Sequence, residues 1–278
     1  MGYTQSPVPV TGRPQKTLRC QKLCQIISVL MLLNACGSGD RVVLEEIVEQ
    51  VYPVEPDTNI TVQNRDGAVM VYGSDANELR VRAAKKAYTR DRLSQITIEV
   101  SRTPGAVSIT TKLSPQPNWT LSDRSGTVDY TITVPATASI SKLDLHAGEV
   151  LLNGVRGRDV HAQLGDGRIF AHNCFTNLDV TMNRGTLMLS YGGWEKEKFS
   201  AQINVGQGNA WVWLPSDAVF HLLCEATHGT IANDFNLPVS ANSSAMGMKI
   251  DQMVNGGGSA TIEIRVDQGN IKIAEANP

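Results

Sequence analysis

The sequence predicts an all-β protein built as a parallel β-solenoid, with about 20 residues in each turn. The first observation behind this prediction is a turn glycine that recurs along most of the chain. Successive glycines of this kind are separated by 38, 21, 22, 19, 18, 23, 21 and 40 residues, and the first and last spacings are close to twice the others. They are Gly67, Gly105, Gly126, Gly148, Gly167, Gly185, Gly208, Gly229 and Gly269.

The second observation is an apolar residue two positions after each of these glycines. All but one are Val, Ile or Leu: Val69, Val107, Val128, Val150, Ile169, Leu187, Ala210, Ile231 and Ile271. Because residues two apart share one face of a strand, we expect these side chains to point into the solenoid. Four of them are expected to stack inside it: Val150, Ile169, Leu187 and Ile231.

An antiparallel β-sandwich is the alternative fold. In a sandwich the same glycines would occupy hairpin turns between antiparallel strands. A sandwich needs no fixed repeat length, so the nearly constant spacing of the glycines favours the solenoid.

The first 35 residues are expected to be a lipoprotein signal peptide. Four basic residues and no acidic residue precede a short apolar run, Ile26–Leu33. This run is too short to span a bilayer, which takes about 20 residues, but it suits a secretory signal. The order Leu33-Asn34-Ala35-Cys36 resembles a lipobox, so we expect Cys36 to carry a lipid. The alternatives are an ordinary signal peptide and a plain core segment.

A tether is expected over residues 36–50, with a charged helical or irregular stretch at Leu44–Gln50. The solenoid domain is then expected over residues 51–278. Within it, alternating apolar and polar residues predict the strands. They are Thr58–Val62, Glu78–Arg82, Ile96–Val100, Ala106–Thr110, Val128–Val134, Leu143–Leu145, Val160–Leu164, Leu178–Met182, Ala201–Val205, Phe220–Leu223, Ala260–Val266 and Asn270–Ala274.

The connections between these strands have their own signals. Prolines and small polar residues predict a loop over Leu113–Ser125, and Gly and Ser predict a surface loop over Leu237–Gly247. The polar stretch Lys85–Leu93 predicts a loop or one helical turn.

Charge and cysteine usage exclude several classes of partner. The formal net charge of −2 implies no polyanionic partner, so we expect no nucleic acid. Without residues 1–35 the chain keeps 21 of its 25 basic residues and all 27 acidic residues, a net charge of about −6.

In that mature form Cys174 and Cys224 are expected to be buried free thiols, although a disulfide would be compatible with export. The five histidines show no metal-ligand spacing, so we expect neither metal nor cofactor.

Four aspartates in neighbouring turns raise the alternative of a polysaccharide-active β-helix enzyme: Asp144, Asp159, Asp166 and Asp179. Asp166 precedes a repeat glycine, where aspartate is a common turn residue. His172 and Cys174 could imitate a thiol–base pair, but such neighbours are more often packing residues. With no nucleophile elbow, phosphate loop or dinucleotide motif, we expect a protein that is not an enzyme.

The order of several short motifs resembles the bacterial putative-adhesin family of unknown function. The similar segments are Asn64–Gly73, Val128–Pro135, Gly148–Gly157, Gly256–Gly258 and Gly269–Ile273, and the resemblance covers about Val51 to Ala274. It implies a secreted or surface β-solenoid. It implies no activity, because the family has no agreed catalytic residues to carry over.

A candidate binding stripe lies at the third residue after four successive glycines. These residues are Leu151, Phe170, Met188 and Trp211, with Trp213 extending the stripe sideways. In register they would form an outward apolar row about 15 Å long. The alternative is that the N-terminal strands or the Leu237–Gly247 loop covers the row. If bare, it is the expected contact for a dimer, a glycan or a protein.

These observations together predict a non-catalytic lipoprotein of the bacterial cell envelope, acting as an adhesin-like binding or scaffold module. Its expected partners are the membrane, through the lipid on Cys36, and an unidentified protein or glycan or a second copy of the chain. The alternatives are an envelope-stress regulator that binds a protein and, ranked lower, the polysaccharide-active enzyme.

Overall fold

The computed structural model describes residues 42–114, 125–241 and 247–276. These residues form one open, mixed β-sheet and one short helix, which confirms the all-β prediction. The elements are β1 (Leu44–Pro53), β2 (Asn59–Ser74), β3 (Glu78–Ala87), α1 (Arg90–Ser94), β4 (Ile96–Thr103), β5 (Ala106–Leu113), β6 (Thr127–Pro135), β7 (Ser139–Asn153), β8 (Asp159–His172), β9 (Asn177–Ser190), β10 (Ser200–Pro215), β11 (Phe220–His228), β12 (Ile231–Asn233), β13 (Ser240–Ala241), β14 (Met248–Val254), β15 (Ala260–Gln268) and β16 (Ile271–Ala276).

Each of the four long central strands bends at a glycine. Strands β7 to β10 pair in parallel and in chain order, and their bends at Gly148, Gly167, Gly185 and Gly208 lie in register. Gly167 has a φ of 140°, and a Cβ added to it would lie 1.8 Å from the carbonyl oxygen of Gly148. The recurring glycine therefore meets both a backbone and a packing requirement, and it divides every central strand into a first leg and a second leg.

The core lies between the two legs. Along each leg the residues alternate between buried and partly exposed, as expected for a strand with one face in the interior. Val150, Ile169 and Leu187 occupy one register column and are at most 1% exposed. Ile231 joins this column through Ile271 and Ala210. The predicted stacking of these side chains is confirmed.

The spatial order of strands departs from the chain order at both ends of the sheet. At one end β5 and β6 pair with the first and second legs of β2, so β2 lies between them and β7. At the other end β15 and β16 lie between β10 and the pair β11 and β12. At each end of the sheet, therefore, strands that are neighbours in space are not neighbours in the sequence.

Antiparallel strands occupy both edges. β3 pairs with β6 and β1 with β3 at one end, while β14 pairs with β11 and β13 with β14 at the other. These segments explain the two doubled glycine spacings, because β3 and β4 separate Gly67 from Gly105 and β14 separates Gly229 from Gly269. Gly105 lies in the hairpin between β4 and β5, the role that the antiparallel alternative assigned to it.

Two expectations about the N-terminal part need comment. The expectation of a helical or irregular tether at Leu44–Gln50 is wrong, because these residues belong to β1 and pair with β3 along its whole length. Their alternation of partly buried and exposed residues is a strand pattern. The stretch Lys85–Leu93, expected as a loop or one helical turn, is partly strand, because β3 runs to Ala87. The helical alternative holds for its end, where α1 is capped by the Thr89 side chain, which accepts a hydrogen bond from the Arg92 amide.

Candidate binding surface

An apolar row crosses the outer face of the second legs. We call it the apolar ridge and define it by five side chains on adjacent parallel strands, in register: Met70, Leu151, Phe170, Met188 and Trp211. With strands about 4.8 Å apart, the four steps between its ends span about 19 Å. The structure brings together the four stripe residues expected from the sequence. Met70, which that expectation omitted, is the third residue after Gly67 and carried the same signal.

The ridge faces away from the core. Each member lies between two buried residues of its own strand, and Trp211 is 36% exposed while the other four are partly exposed. Trp213 lies beside the ridge in the next outward row, with its ring centroid 6.1 Å from that of Trp211 and the two rings perpendicular. Tyr72 lies in the same second row, beside Met70. Tyr72 and Trp213 thus flank the two ends of the ridge, and Asn153, His172 and Ser190 lie between them in the second row.

The described parts of the segments expected to cover the ridge lie elsewhere. β1 pairs with β3 at the end of the sheet, with β6 between β3 and β2. Leu237 packs against the core and exchanges hydrogen bonds with Asn233, beyond the opposite end of the ridge. Residues 242–246 of the expected covering loop lie outside the described residues. Within those residues, the ridge is an open surface.

Polar side chains flank the ridge on both sides, and several of them bond to one another. On one side Arg168 pairs with Glu149, and the Asn270 amide N–H donates to Asn209 Oδ1 at 3.1 Å. On the other side His172 Nδ1 lies 2.8 Å from Ser190 Oγ. The borders thus consist largely of groups whose hydrogen bonds run along the sheet.

The His172–Ser190 pair, which sequence reasoning missed, has the arrangement of a base beside a nucleophile. The hydrogen bonds of Asn173 determine which ring nitrogen of His172 carries the proton. The Gly192 amide donates to Asn173 Oδ1 at 2.8 Å, so Asn173 Nδ2 faces His172 Nε2 at 3.0 Å and donates to it. The His172 proton is then on Nδ1 and donates to Ser190, the reverse of what activation of a serine requires. The pair orders the surface beside Trp213.

The four aspartates of the enzyme alternative do not converge on one site. Each contacts a different basic side chain: Asp144 contacts Lys142, Asp159 contacts Arg158, Asp166 contacts Arg184, and Asp179 contacts His161. Hydrogen bonds from Arg158 and Arg184 lower the pKa of Asp159 and Asp166, respectively. A general acid needs a raised pKa, so these two carboxyl groups are tuned in the opposite direction. No group of three metal-binding side chains occurs in the described ranges.

Comparison with known families identifies the chain. The model of the family described as Toastrack DUF4097 matches residues 50–274, most of the sequence. The chain belongs to this family. The finding agrees with the putative-adhesin domain family that the sequence motifs resemble.

Several solved structures are similar to this Toastrack protein. A putative cell adhesion protein from Clostridium sporogenes is 14% identical, with a TM-score of 0.46, and the match covers 83% of this chain and 100% of that one. A putative adhesin from Bacteroides fragilis is 10% identical, with a TM-score of 0.32 and coverage of 83% and 97%. A putative lipid binding protein from Parabacteroides distasonis is 11% identical, with a TM-score of 0.23 and the same coverage. Among curated proteins, none matches the chain.

The two thiols of the Toastrack domain are buried and free, as expected. Burial raises the pKa of the Cys174 thiol to about 11 and raises that of Cys224 as well. Both thiols are therefore protonated at neutral pH, and thiolate nucleophiles are absent at these two positions. Cys174 Sγ donates to backbone carbonyl oxygens of the core, which is a packing role.

A small cavity lies beside a group of packed aromatic side chains. Trp194 packs on Tyr191, Phe199 and Phe220, and beside it opens a cavity of about 260 Å³ bordered by Glu197 and Gly258. The neighbouring Glu195 is held by Arg156 at 2.6 Å. The cavity is smaller than the roughly 300–1,000 Å³ usual for ligand pockets.

The expected signal peptide and Cys36 lie outside the described residues. None of the helical structure in the described ranges has the length and hydrophobicity needed to cross a bilayer.

Proposed function

We propose that this Toastrack protein is a non-catalytic, lipid-anchored module of the bacterial cell envelope. Its central strands act as the turns of a parallel β-solenoid of about 20 residues per turn, a rigid support for a binding surface. The observation that carries the proposal is the apolar ridge, which is open over the described residues. A contiguous apolar surface of this kind usually marks a contact site.

Binding, rather than catalysis, fits the chemistry of the outer face. The His172–Ser190 pair has the wrong proton arrangement, the thiols are buried and protonated, and the aspartates contact basic side chains one by one. The ridge and the adjacent Trp213 instead offer two indoles and a phenyl ring, the kind of side chain that dominates contact energies. A rigid sheet that presents such a surface suits adhesion or scaffolding.

The N-terminal sequence supports the anchor. A basic region, the apolar run Ile26–Leu33 and the lipobox-like order ending at Cys36 follow one another as in exported lipoproteins. Labelling growing cells with a fatty-acid analogue tests this part. Label should enter the wild-type chain and be absent from Cys36→Ala, while Cys174→Ala stays labelled. Incorporation into Cys36→Ala would contradict the anchor.

Replacement of one ridge side chain tests the binding function. Trp211→Ser should weaken self-association or the capture of envelope components while leaving the fold intact. Asn204→Ser is a matched control, because Asn204 lies on the outer face of the same strand, β10, in its polar first leg. Sedimentation and affinity capture from cell envelopes measure both. Equal behaviour of the wild type and both variants would exclude the ridge from self-association and from the capture of envelope components.

A further inference from the structure

The hydrogen bonds around the ridge indicate which kind of partner it can bind. A glycan is recognised by aromatic stacking together with free hydrogen-bonding groups, because buried polar groups need partners. The polar borders of the ridge are bonded along the sheet: Glu149 to Arg168, Asn209 to Asn270, and His172 to Ser190 and Asn173. The surface therefore offers mainly apolar contact, which disfavours a glycan.

The size of the ridge disfavours a protein partner. The ridge row across five strands about 4.8 Å apart, with Tyr72 and Trp213 about 7 Å to one side at its two ends, gives an apolar footprint on the order of 200 Å². A stable protein interface or dimer covers about 800 Å² on each partner. The polar first-leg rows and the paired charges around the ridge would have to supply the difference. A lipid surface has no such requirement, because it accepts an apolar strip of any length.

The composition of the ridge and of the two rings beside it fits the region between lipid headgroups and acyl chains. Trp211, Trp213 and Tyr72 combine an apolar ring with a polar atom, the property that enriches Trp and Tyr at membrane interfaces. The register row of the ridge continues directly to Lys272 beyond Trp211. Beyond Met70 it continues through Thr131 to Arg82 and then to Glu49, and both Lys272 and Arg82 are exposed. Long basic side chains at such positions reach headgroup phosphates while their stems stay on apolar surface.

The position of the start of β1 places a bilayer within reach of the ridge. Seven residues lie between Cys36 and Leu44, the first residue of β1, so the eight steps of this connection span at most about 29 Å. Leu44 is three strands from Met70 and five residues along β1 from Glu49, the member of β1 in the ridge's register row. These offsets put it about 22 Å from the ridge within the sheet. A lipid on Cys36 and the ridge can therefore occupy one bilayer surface.

We infer that the apolar ridge docks on the bilayer that holds the protein's own anchor, so that the sheet lies with its second legs against the lipid. This inference rests on the lipid anchor proposed above and names the partner of the same surface. With a mature net charge of about −6, general electrostatic attraction to anionic lipids does not drive the contact. Apolar insertion does, and phosphatidylcholine alone is sufficient.

Tryptophan fluorescence in vesicles tests the inference with the full chain. The protein is reconstituted into phosphatidylcholine vesicles with brominated acyl chains, which quench indoles that contact them. We expect quenching that persists at high salt and is mostly lost when Trp211→Phe and Trp213→Phe are combined. Trp194→Phe should leave it, because Trp194 packs on core rings away from the ridge.

A second set of variants separates ridge contact from the emission of the two indoles. Phe170→Ser should reduce the quenching of Trp211 and Trp213 by weakening insertion of the ridge. Met253→Ser is the matched control, because Met253 is an exposed apolar side chain, 58% accessible, on the edge strand β14. Thermal unfolding of each variant confirms that it folds.

The outcomes distinguish the inference from the proposal on which it rests. A chain that is labelled with lipid at Cys36 but whose ridge indoles are not quenched overturns the inference and leaves the anchor standing. A ridge that captures a protein through Trp211 without lipid quenching overturns it in favour of a protein contact. An unlabelled Cys36 together with quenched ridge indoles contradicts the anchor and supports ridge contact with lipid.

Discussion

The two legs of the central strands share one backbone plan but present different outer faces. Strands β7 to β10 continue in parallel register from the first leg, through the glycine bend, into the second leg. In the first leg an outward row is polar: Asp144, Gln163, Thr181 and Asn204. In the second leg the corresponding row is Leu151, Phe170, Met188 and Trp211.

This difference separates what the fold requires from what the surface does. Both legs bury equivalent inward columns and exchange the same backbone hydrogen bonds, so an apolar outer row is not needed to form the sheet. The polar row shows that outward positions tolerate carboxylate, amide and hydroxyl side chains. The fold therefore does not account for the apolar ridge on the second leg, and a contiguous apolar surface of this kind usually marks a contact site.

Gly167→Ala attacks the bend on which the comparison depends, and it should have the largest effect. The added methyl group would meet the carbonyl oxygen of Gly148 at 1.8 Å, at a φ of 140° that other residues rarely adopt. We expect the free energy of unfolding, measured by urea denaturation, to fall by more than about 4 kcal/mol or the chain not to fold.

Gly193→Ala provides the control for this change. A Cβ at Gly193 meets no atom within 4 Å, so its stability should stay within about 0.5 kcal/mol of the wild type. Similar losses at Gly167 and Gly193 would show that the bend does not need glycine. The glycine would then not explain where the first leg ends and the second leg begins.

Leu187→Ala and Met188→Ala sharpen the comparison within one leg. Leu187 is 1% exposed in the inward column, whereas its neighbour Met188 is on the ridge and partly exposed. Leu187→Ala should cost about 2–5 kcal/mol of unfolding free energy, as other buried truncations do. Met188→Ala should cost less than about 1 kcal/mol. A larger loss at Met188 would mean that the ridge is part of the core.

The sequence predicted the central strands better than the ends for a physical reason. Between Gly148 and Gly208 each glycine bend stacks directly on the last, so the packing requirement repeats in the sequence. At the ends β5 and β6, or β15 and β16, occupy places that chain order does not reveal, because long-range pairing leaves no local signal. β1 was missed since its charged residues pair with those of β3: Glu46 with Lys85, for example.

The same distinction between repeated and long-range features applies to the outer surface. The ridge could be predicted because its members repeat at a fixed distance from the stacked glycines. The His172–Ser190–Asn173 group could not, because it depends on Asn173 at a positive φ of 51° and on residues from two strands. The basic partners of the aspartates were missed for a similar reason: Arg184 and Asp166 are 18 residues apart and meet only through parallel register.

Arg184→Gln tests the polar side of the comparison and should have the smallest effect on the fold. Arg184 Nε lies 2.6 Å from Asp166 Oδ1, and this hydrogen bond lowers the pKa of Asp166. A carboxyl whose pKa is lower in the folded than in the unfolded chain stabilises the fold above its unfolded pKa, and that contribution is lost as pH falls through the folded pKa. The pair is exposed, so its contribution to stability is small. NMR titration should show the Asp166 pKa rising towards its ordinary value in Arg184→Gln and staying lowered in Arg168→Gln, whose guanidinium pairs with Glu149. An Asp166 pKa that does not respond to Arg184→Gln would show that the register contact between these two strands does not set its charge.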